Sequence, residues 1–222
     1  MLRENLPPLP RRMQSLKVSD RGYPVPWFVA EIDGKPEFRA MDARKWALAI
    51  EKKLCWVCGQ ALGTRFAFVV GPMCGINRIS AEPPSHKDCA EFSAMGCPFL
   101  TMPKMVRREG DDLDQIKVPA AGVMIERNPG VTLLWFTRSY VPFEVPKNDD
   151  TNPGYLIHMG DPFEVAFYAH GRKATREEIL KSVETGLPTL YGACEKEPTP
   201  DEQEAARLEL DNRKDVFFQL IP

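Results

Sequence analysis

The chemistry most legible in the chain lies in two matched pairs of soft ligands. Cys55 and Cys58 stand three positions apart in LCWVCGQALG, and His86 and Cys89 repeat that step in EPPSHKDCAEF. Thiolates and imidazoles spaced in this way form the donor set of a tetrahedral zinc site, where two ligands on one tight turn must lie two or three residues apart to reach a single ion. Gly59 directly follows the first pair. A glycine there suits a chain that turns sharply under a metal with its amides aimed at sulfur. The second pair fits the first turn of a helix, because residues three apart share a face. Ser85 is expected to cap that helix and Asp88 to take the capping-box position, with Pro83-Pro84 fixing the entry. Cys89 beside a helix N-terminus would have its thiolate favoured by the local dipole.

Four donors close a zinc site, whereas a catalytic zinc keeps one position open for water. Three thiolates would also weaken the ion as a Lewis acid. Neither the His-Glu-x-x-His of metalloproteases nor the His-x-Glu of zinc deaminases is present. The expectation is structural Zn2+ on Cys55, Cys58, His86 and Cys89. Two other readings stand beside it. The cysteines would pack as buried thiols, or Cys74 or Cys97 would join an iron–sulfur cluster, although the spacings match no common cluster pattern.

Elements positioning the ligands follow from local patterning. Two short apolar-rich runs flank Asp33-Gly34, a hairpin signal. Asp42 is placed to cap a helix through about Lys53, leading straight into Cys55. Between the ligand pairs, FAFVVG and INRIS joined by GPMCG suggest a second hairpin, and AEFSAMGCPFL continues as a short helix ending near Gly96. Knuckle, hairpin and ligand-bearing helix over about residues 54–96 resemble the treble-clef zinc-finger group, on Cys55, Cys58, Gly59, His86 and Cys89. The resemblance implies a fold and a metal but no activity. Some treble clefs belong to His-Asn-His nucleases, which use a further histidine on the hairpin. No histidine lies between Cys58 and His86, so that chemistry lacks its base. The remainder of the chain loosely resembles uncharacterised bacterial or phage proteins.

Further along, VTLLWFT is apolar on both faces and is expected to be a central strand. Asn128-Pro129-Gly130 and Asn152-Pro153-Gly154 suggest type II turns, the first of them joining VMIER to VTLLWFT. YLIHM and PFEVAFYAH suggest strands. Thr175 with Glu178, and Thr199 with Glu202, are capping boxes that start two helices. The first of these is expected to end at Gly186-Leu187-Pro188, and DVFFQLIP to form a final strand or docking tail. Together these elements predict an α+β fold with mainly antiparallel sheet, short helices and a treble-clef-like zinc module. Three regions are expected: an extended proline-rich arm over 1–20, a hairpin, helix and zinc module over 21–108, and a strand-rich part over 109–222 with two C-terminal helices. The last two form either separate domains or one, with the break near 105–118.

Charge bears on partners. The chain has a net charge of −2 over 222 residues, yet residues 1–108 carry 17 basic against 10 acidic side chains and residues 109–222 carry 12 against 21. A basic front half suits a polyanion, or the acidic rear half. Arg65, Arg78, Lys87, Lys104, Arg107 and Arg108 lie on or beside the zinc segment, as expected if that module contacts nucleic acid. A protein-binding adaptor is the alternative, drawing on the Pro7/Pro10/Arg12 arm, the acidic closing helix and the apolar end at 216–222. An enzyme is the third reading: His158 and His170 lie in expected strands, Tyr168 and Glu164 share a face with His170, and Arg172 and Lys173 follow it, with no accompanying nucleophile, phosphate-loop or paired-carboxylate motif. MLRENLPPLPRR has no apolar stretch of a signal peptide, and no apolar run approaches the ~20 residues of a membrane span. Cytoplasmic residence and reduced thiols are the expectation.

Overall fold

A computed structural model describes residues 1–102, 129–146 and 154–222. The VMIER strand, Asn128 of the first turn, the Asn152-Pro153 part of the second and the break near 105–118 lie outside the described residues. Among the described residues the fold is α+β with antiparallel pairing in three sheets. A two-stranded ribbon joins β1 (Val29–Ile32) to β2 (Lys35–Met41). Asp33 and Gly34 both take positive φ at its tip, 50° and 75°, as the twist of a two-residue hairpin demands. Asp42 caps α1 (Ala43–Glu51) by accepting from the Arg44 amide.

The second sheet has the order β3-β5-β8-β9, from β3 (Phe66–Val70), β5 (Thr132–Thr137), β8 (Pro162–Ala169) and β9 (Arg172–Lys173). Every residue of β5 is buried, as its doubly apolar pattern requires. Alternation along it divides the core. Leu133 and Trp135 join Phe68, Ile76, Phe167, Ile179, Val183 and Phe217 on one face. Leu134 and Phe136 meet Ala67, Ala90, Ala94 and Tyr168 on the other. A third sheet, β4-β7-β6, is built from β4 (Ile79–Ser80), β6 (Tyr140–Val145) and β7 (Gly154–Met159).

Helix α2 (Pro72–Asn77) connects β3 to β4, packing on β5 and against α5 (Arg176–Cys194) and α6 (Pro200–Gln219). Its Gly75 is required by space: an added Cβ would run into Leu133 and Phe217. The opposite face of the sheet carries α3 (Lys87–Gly96), which continues into the single turn α4 (Pro98–Thr101). Ala90 and Ala94 on α3 are fully buried, small enough for the helix to lie close to the strands.

Several expectations are corrected. FAFVVG and INRIS do not form a hairpin: β3 pairs with β5 and β4 with β7, because the intervening GPMCG folds as α2 rather than a turn. Helix α5 does not stop at Pro188 but runs to Cys194. A proline removes one helical donor, yet Leu187, Leu190 and Tyr191 beyond and beside it pack on the main core. DVFFQLIP is not a strand: its first five residues finish α6, and the last three follow the helix and dock, with Phe217 and Ile221 buried and Arg176 donating to the Ile221 carbonyl. The proline-rich arm is not a free extension either. It contains a 3-10 turn over Arg11–Met13, and Leu6, Leu9, Met13 and Leu16 pack onto the cysteine cluster.

Candidate metal centre

The first ligand turn begins where α1 ends. Lys53 takes positive φ after the helix, and the Leu54 amide donates to the Ala49 carbonyl. Leu54 then bridges Ala61, the Cys55 amide donates to the Gln60 carbonyl, and the Gly59 amide donates back to the Cys55 carbonyl at 2.8 Å. This folds residues 55–60 into a loop with both thiols on its inner side. Gly59 has φ of 73°, and an added Cβ would lie 2.7 Å from the Trp27 ring. Conformation and space both demand glycine there.

His86 reaches the same point by a different route from the one expected. Ser85 does not cap α3; its amide and carbonyl both bond to Ala67 on β3. That pairing, with buried Pro83 and Pro84 and a bond from the Trp56 amide to the Pro84 carbonyl, anchors the second ligand segment to the sheet and the knuckle together. His86 itself occupies the N-cap position without capping through its side chain, and Cys89 follows in the first turn of α3. Asp88 accepts from the Cys89 amide and faces Arg12 of the arm at 3.7 Å.

The ligand atoms of Cys55, Cys58, His86 and Cys89 all lie within 4.8 Å of one another, so these four residues could hold a metal ion. Zinc–ligand bonds of about 2.0–2.3 Å in a tetrahedron place donor atoms about 3.4–3.8 Å apart. Cys58 Sγ and His86 Nδ1 are already at 3.4 Å. The second ring nitrogen, Nε2, lies 3.1 Å from the Ala61 carbonyl oxygen, to which it donates when Nδ1 serves as a ligand. Cys55 Sγ accepts from the amides of Cys58 and His86, each at 3.4 Å. Donor number, spacing, amide-to-sulfur bonds and a carbonyl behind the histidine all fit a four-coordinate metal. The donors are soft and borderline groups of the kind zinc takes.

Electrostatics follow from crowding four donors. Burial opposes ionisation of Cys55, but hydrogen bonds from Cys58, Cys89 and His86 outweigh it and hold that thiol far below the usual range. Hydrogen bonding to Cys55 and Cys58 raises the His86 imidazole to about 10. The same two partners push the Cys89 thiol up. Crowding therefore favours the ionised form of Cys55 and the protonated forms of His86 and Cys89. Around it lie Met13, Val57 and Phe92, all buried, with Leu6, Leu9, Leu16 and Leu62 packed against them.

Cys74 and Cys97 stand outside the four-residue cluster. Burial pushes both of their thiols up, which suits neutral packing groups. Of the basic residues singled out in the sequence, Lys104, Arg107 and Arg108 lie outside the described residues. Arg78 is turned inward: its side chain is 16% exposed, paired with Asp161 at 2.7 Å and placed over the Trp135 ring. Lys87 pairs with Glu164 at 2.6 Å, and Arg65 rests over Phe163. His158 belongs to β7, whereas His170 follows β8 in a left-handed turn 3.9 Å from Glu178, so the two histidines stand on different sheets. Tyr168 packs in the core against Ala90 and Ala94.

Sequence reasoning missed the arm as a cover for the cluster. Its signal was present: leucines and methionine at 6, 9, 13 and 16 recur at three- and four-residue steps. No helix among the described residues is long and apolar enough to cross a membrane. Compared with known protein families, curated proteins and solved structures, the chain matches none of them.

Proposed function

We propose that the cluster binds one zinc ion as a structural centre and that the protein acts as a zinc-stabilised binding protein. The observation that carries the zinc reading is the closed donor set. Three cysteines and the Nδ1 of His86 face one point, each sulfur is buried or nearly so, and the arm lies over them as an apolar cover. Such a site leaves no seat for substrate water, so its contribution is cross-linking. It ties the knuckle after α1 to the start of α3, and the arm packs on the cluster so formed. Ligand affinity then becomes folding free energy. The test is metal content by elemental analysis together with Cys58→Ser. Stoichiometric zinc is expected in the native protein. The variant should lose both the zinc and the fold around the knuckle, seen as loss of amide protection over 54–62. A variant that keeps its fold while losing an activity would refute the structural role.

For the partner, nucleic acid is the reading we favour, supported by the excess of seven positive charges over residues 1–108. The adaptor reading is less well supported, because the apolar end it drew on is packed into the core through Phe217 and Ile221.

A further inference from the structure

One end of the four-stranded sheet carries a basic and aromatic surface separate from the metal cluster. Arg65 immediately precedes β3, Arg138 immediately follows β5, and Phe163 is the second residue of β8. The register pairs Phe66 with Thr137, so one further step sets Arg65 opposite Arg138. Like charges opposed across an antiparallel pair repel. Both arginines are exposed, and neither has a carboxylate partner among the described residues. Instead both lean on one ring: their guanidinium carbons stand 5.8 and 5.3 Å from the centroid of Phe163. Phe163 is itself 43% exposed, an apolar residue left partly in water.

The surroundings sharpen the chemistry. A hollow of about 50 Å³ beside the ring is lined by Arg65, Lys87, Phe136, Phe163 and Glu164, among other residues. Glu164 is the one acid of that lining and is already neutralised by Lys87, whose ammonium also sits 4.9 Å from the Phe136 centroid. The hollow is too small to enclose a ligand, so a partner must lie across the surface. Two cations facing each other, unpaired among the described residues, call for an anion, and the exposed ring between them calls for a flat group. Single-stranded nucleic acid supplies both, because phosphates take the guanidiniums while an unpaired base offers a face for stacking. A duplex hides its base faces, and an acidic peptide would satisfy the arginines while leaving the ring without a planar partner.

We propose that Arg65, Arg138 and Phe163 form a contact surface for single-stranded nucleic acid, with the guanidiniums on phosphates and the ring under a base. The proposal rests on the nucleic-acid reading above and gives it a location. It is tested with the full chain, loaded with zinc, by fluorescence anisotropy on a labelled oligothymidylate over a salt series. Phe163→Ala should weaken binding about tenfold. Arg65→Ala combined with Arg138→Ala should lower the slope of log affinity against log salt by about 1.4, the share of two phosphate contacts on a single strand. Phe163→Trp keeps a stacking platform and should retain or tighten binding, which separates a lost contact from a lost fold if the alanine variant unfolds. Wild-type binding that survives the arginine pair and Phe163→Ala unchanged, in variants with native circular dichroism, would overturn this location and leave the broader reading standing. An absence of wild-type binding to oligothymidylate and to oligouridylate would overturn both.

Discussion

His86 presents Nδ1 to the Cys58 sulfur while Nε2 meets the Ala61 carbonyl, so the ring is oriented before any metal arrives. Metal must nevertheless displace protons. In the metal-free cluster, hydrogen bonds to Cys55 and Cys58 hold His86 protonated up to about 10, and the Cys89 thiol is raised by the same partners. Ligation requires the deprotonated forms, so affinity rises with pH. Displacing the His86 proton alone makes zinc affinity fall at least tenfold for each unit drop between pH 8 and 6. Competition with a chromophoric chelator, corrected for the chelator's own titration, checks this. A flat profile would mean that neither His86 nor Cys89 gives up a proton to the metal. His86→Ala should weaken zinc binding and lower that slope by the one proton His86 gives up, leaving the share of the Cys89 thiol, whereas Cys97→Ser, outside the cluster, should leave both unchanged.

At the scale of elements, the capping box of α5 gives a second pH-dependent handle. Glu178 accepts from Arg172 and from the Thr175 amide while Thr175 accepts from the Glu178 amide. The Arg172 bond first, then the Thr175 amide, hold the Glu178 carboxyl down at about 2. Its folded value lies below its ordinary 4.5. The stabilisation is therefore present above about 4.5 and lost as pH falls towards 2. Thr175→Ala should cost about 1 kcal/mol at pH 7. Glutamine still completes a capping box, so Glu178→Gln loses only the charged pairing with Arg172. The stability gap between wild type and Glu178→Gln, measured by urea unfolding, should close between pH 4.5 and 2. Both boxes were legible in the sequence because capping is a local exchange of bonds over four residues. Helix α2, expected as the turn of a hairpin, was not. Gly71 and Pro72 suggest a turn as readily as a helix start, and only packing of Met73 and Ile76 beneath α5 and α6 selects the helix.

Across the whole molecule, the arm and the metal cluster are one structural unit. Met13 is almost completely buried beside Cys55, Cys58, Cys89 and Phe92. Met13→Ala should cost roughly 2–5 kcal/mol, as a buried large-to-small change does. Zinc removal should release the same segment, so trypsin should cut at Arg11 and Arg12 much faster in chelator than with zinc present. Equal cleavage rates would show that the arm docks independently of the metal. Strands from the front of the chain also enter the sheets of the rear, β3 beside β5 and β4 beside β7. Loosening the knuckle should therefore reach the main core through β3, and chelation should lower the thermal midpoint of the whole protein as well as that of the arm.

What the sequence determined alone was the part governed by short-range chemistry. Ligand spacing, the Gly59 turn, the Asp33-Gly34 hairpin, the Asp42 cap, the doubly apolar β5 and both capping boxes each depend on residues a few positions apart. The tertiary structure decided what depends on distant segments meeting. It sets Ser85 against Ala67 rather than at a helix cap, carries α5 through Pro188 and folds the arm over the sulfurs. It also turns Arg78 inward and brings Arg65, Arg138 and Phe163 together at one sheet end. Strand order causes these outcomes, because register and burial are settled only when β3, β5 and β8 lie side by side, and no local pattern encodes which strand will be the neighbour.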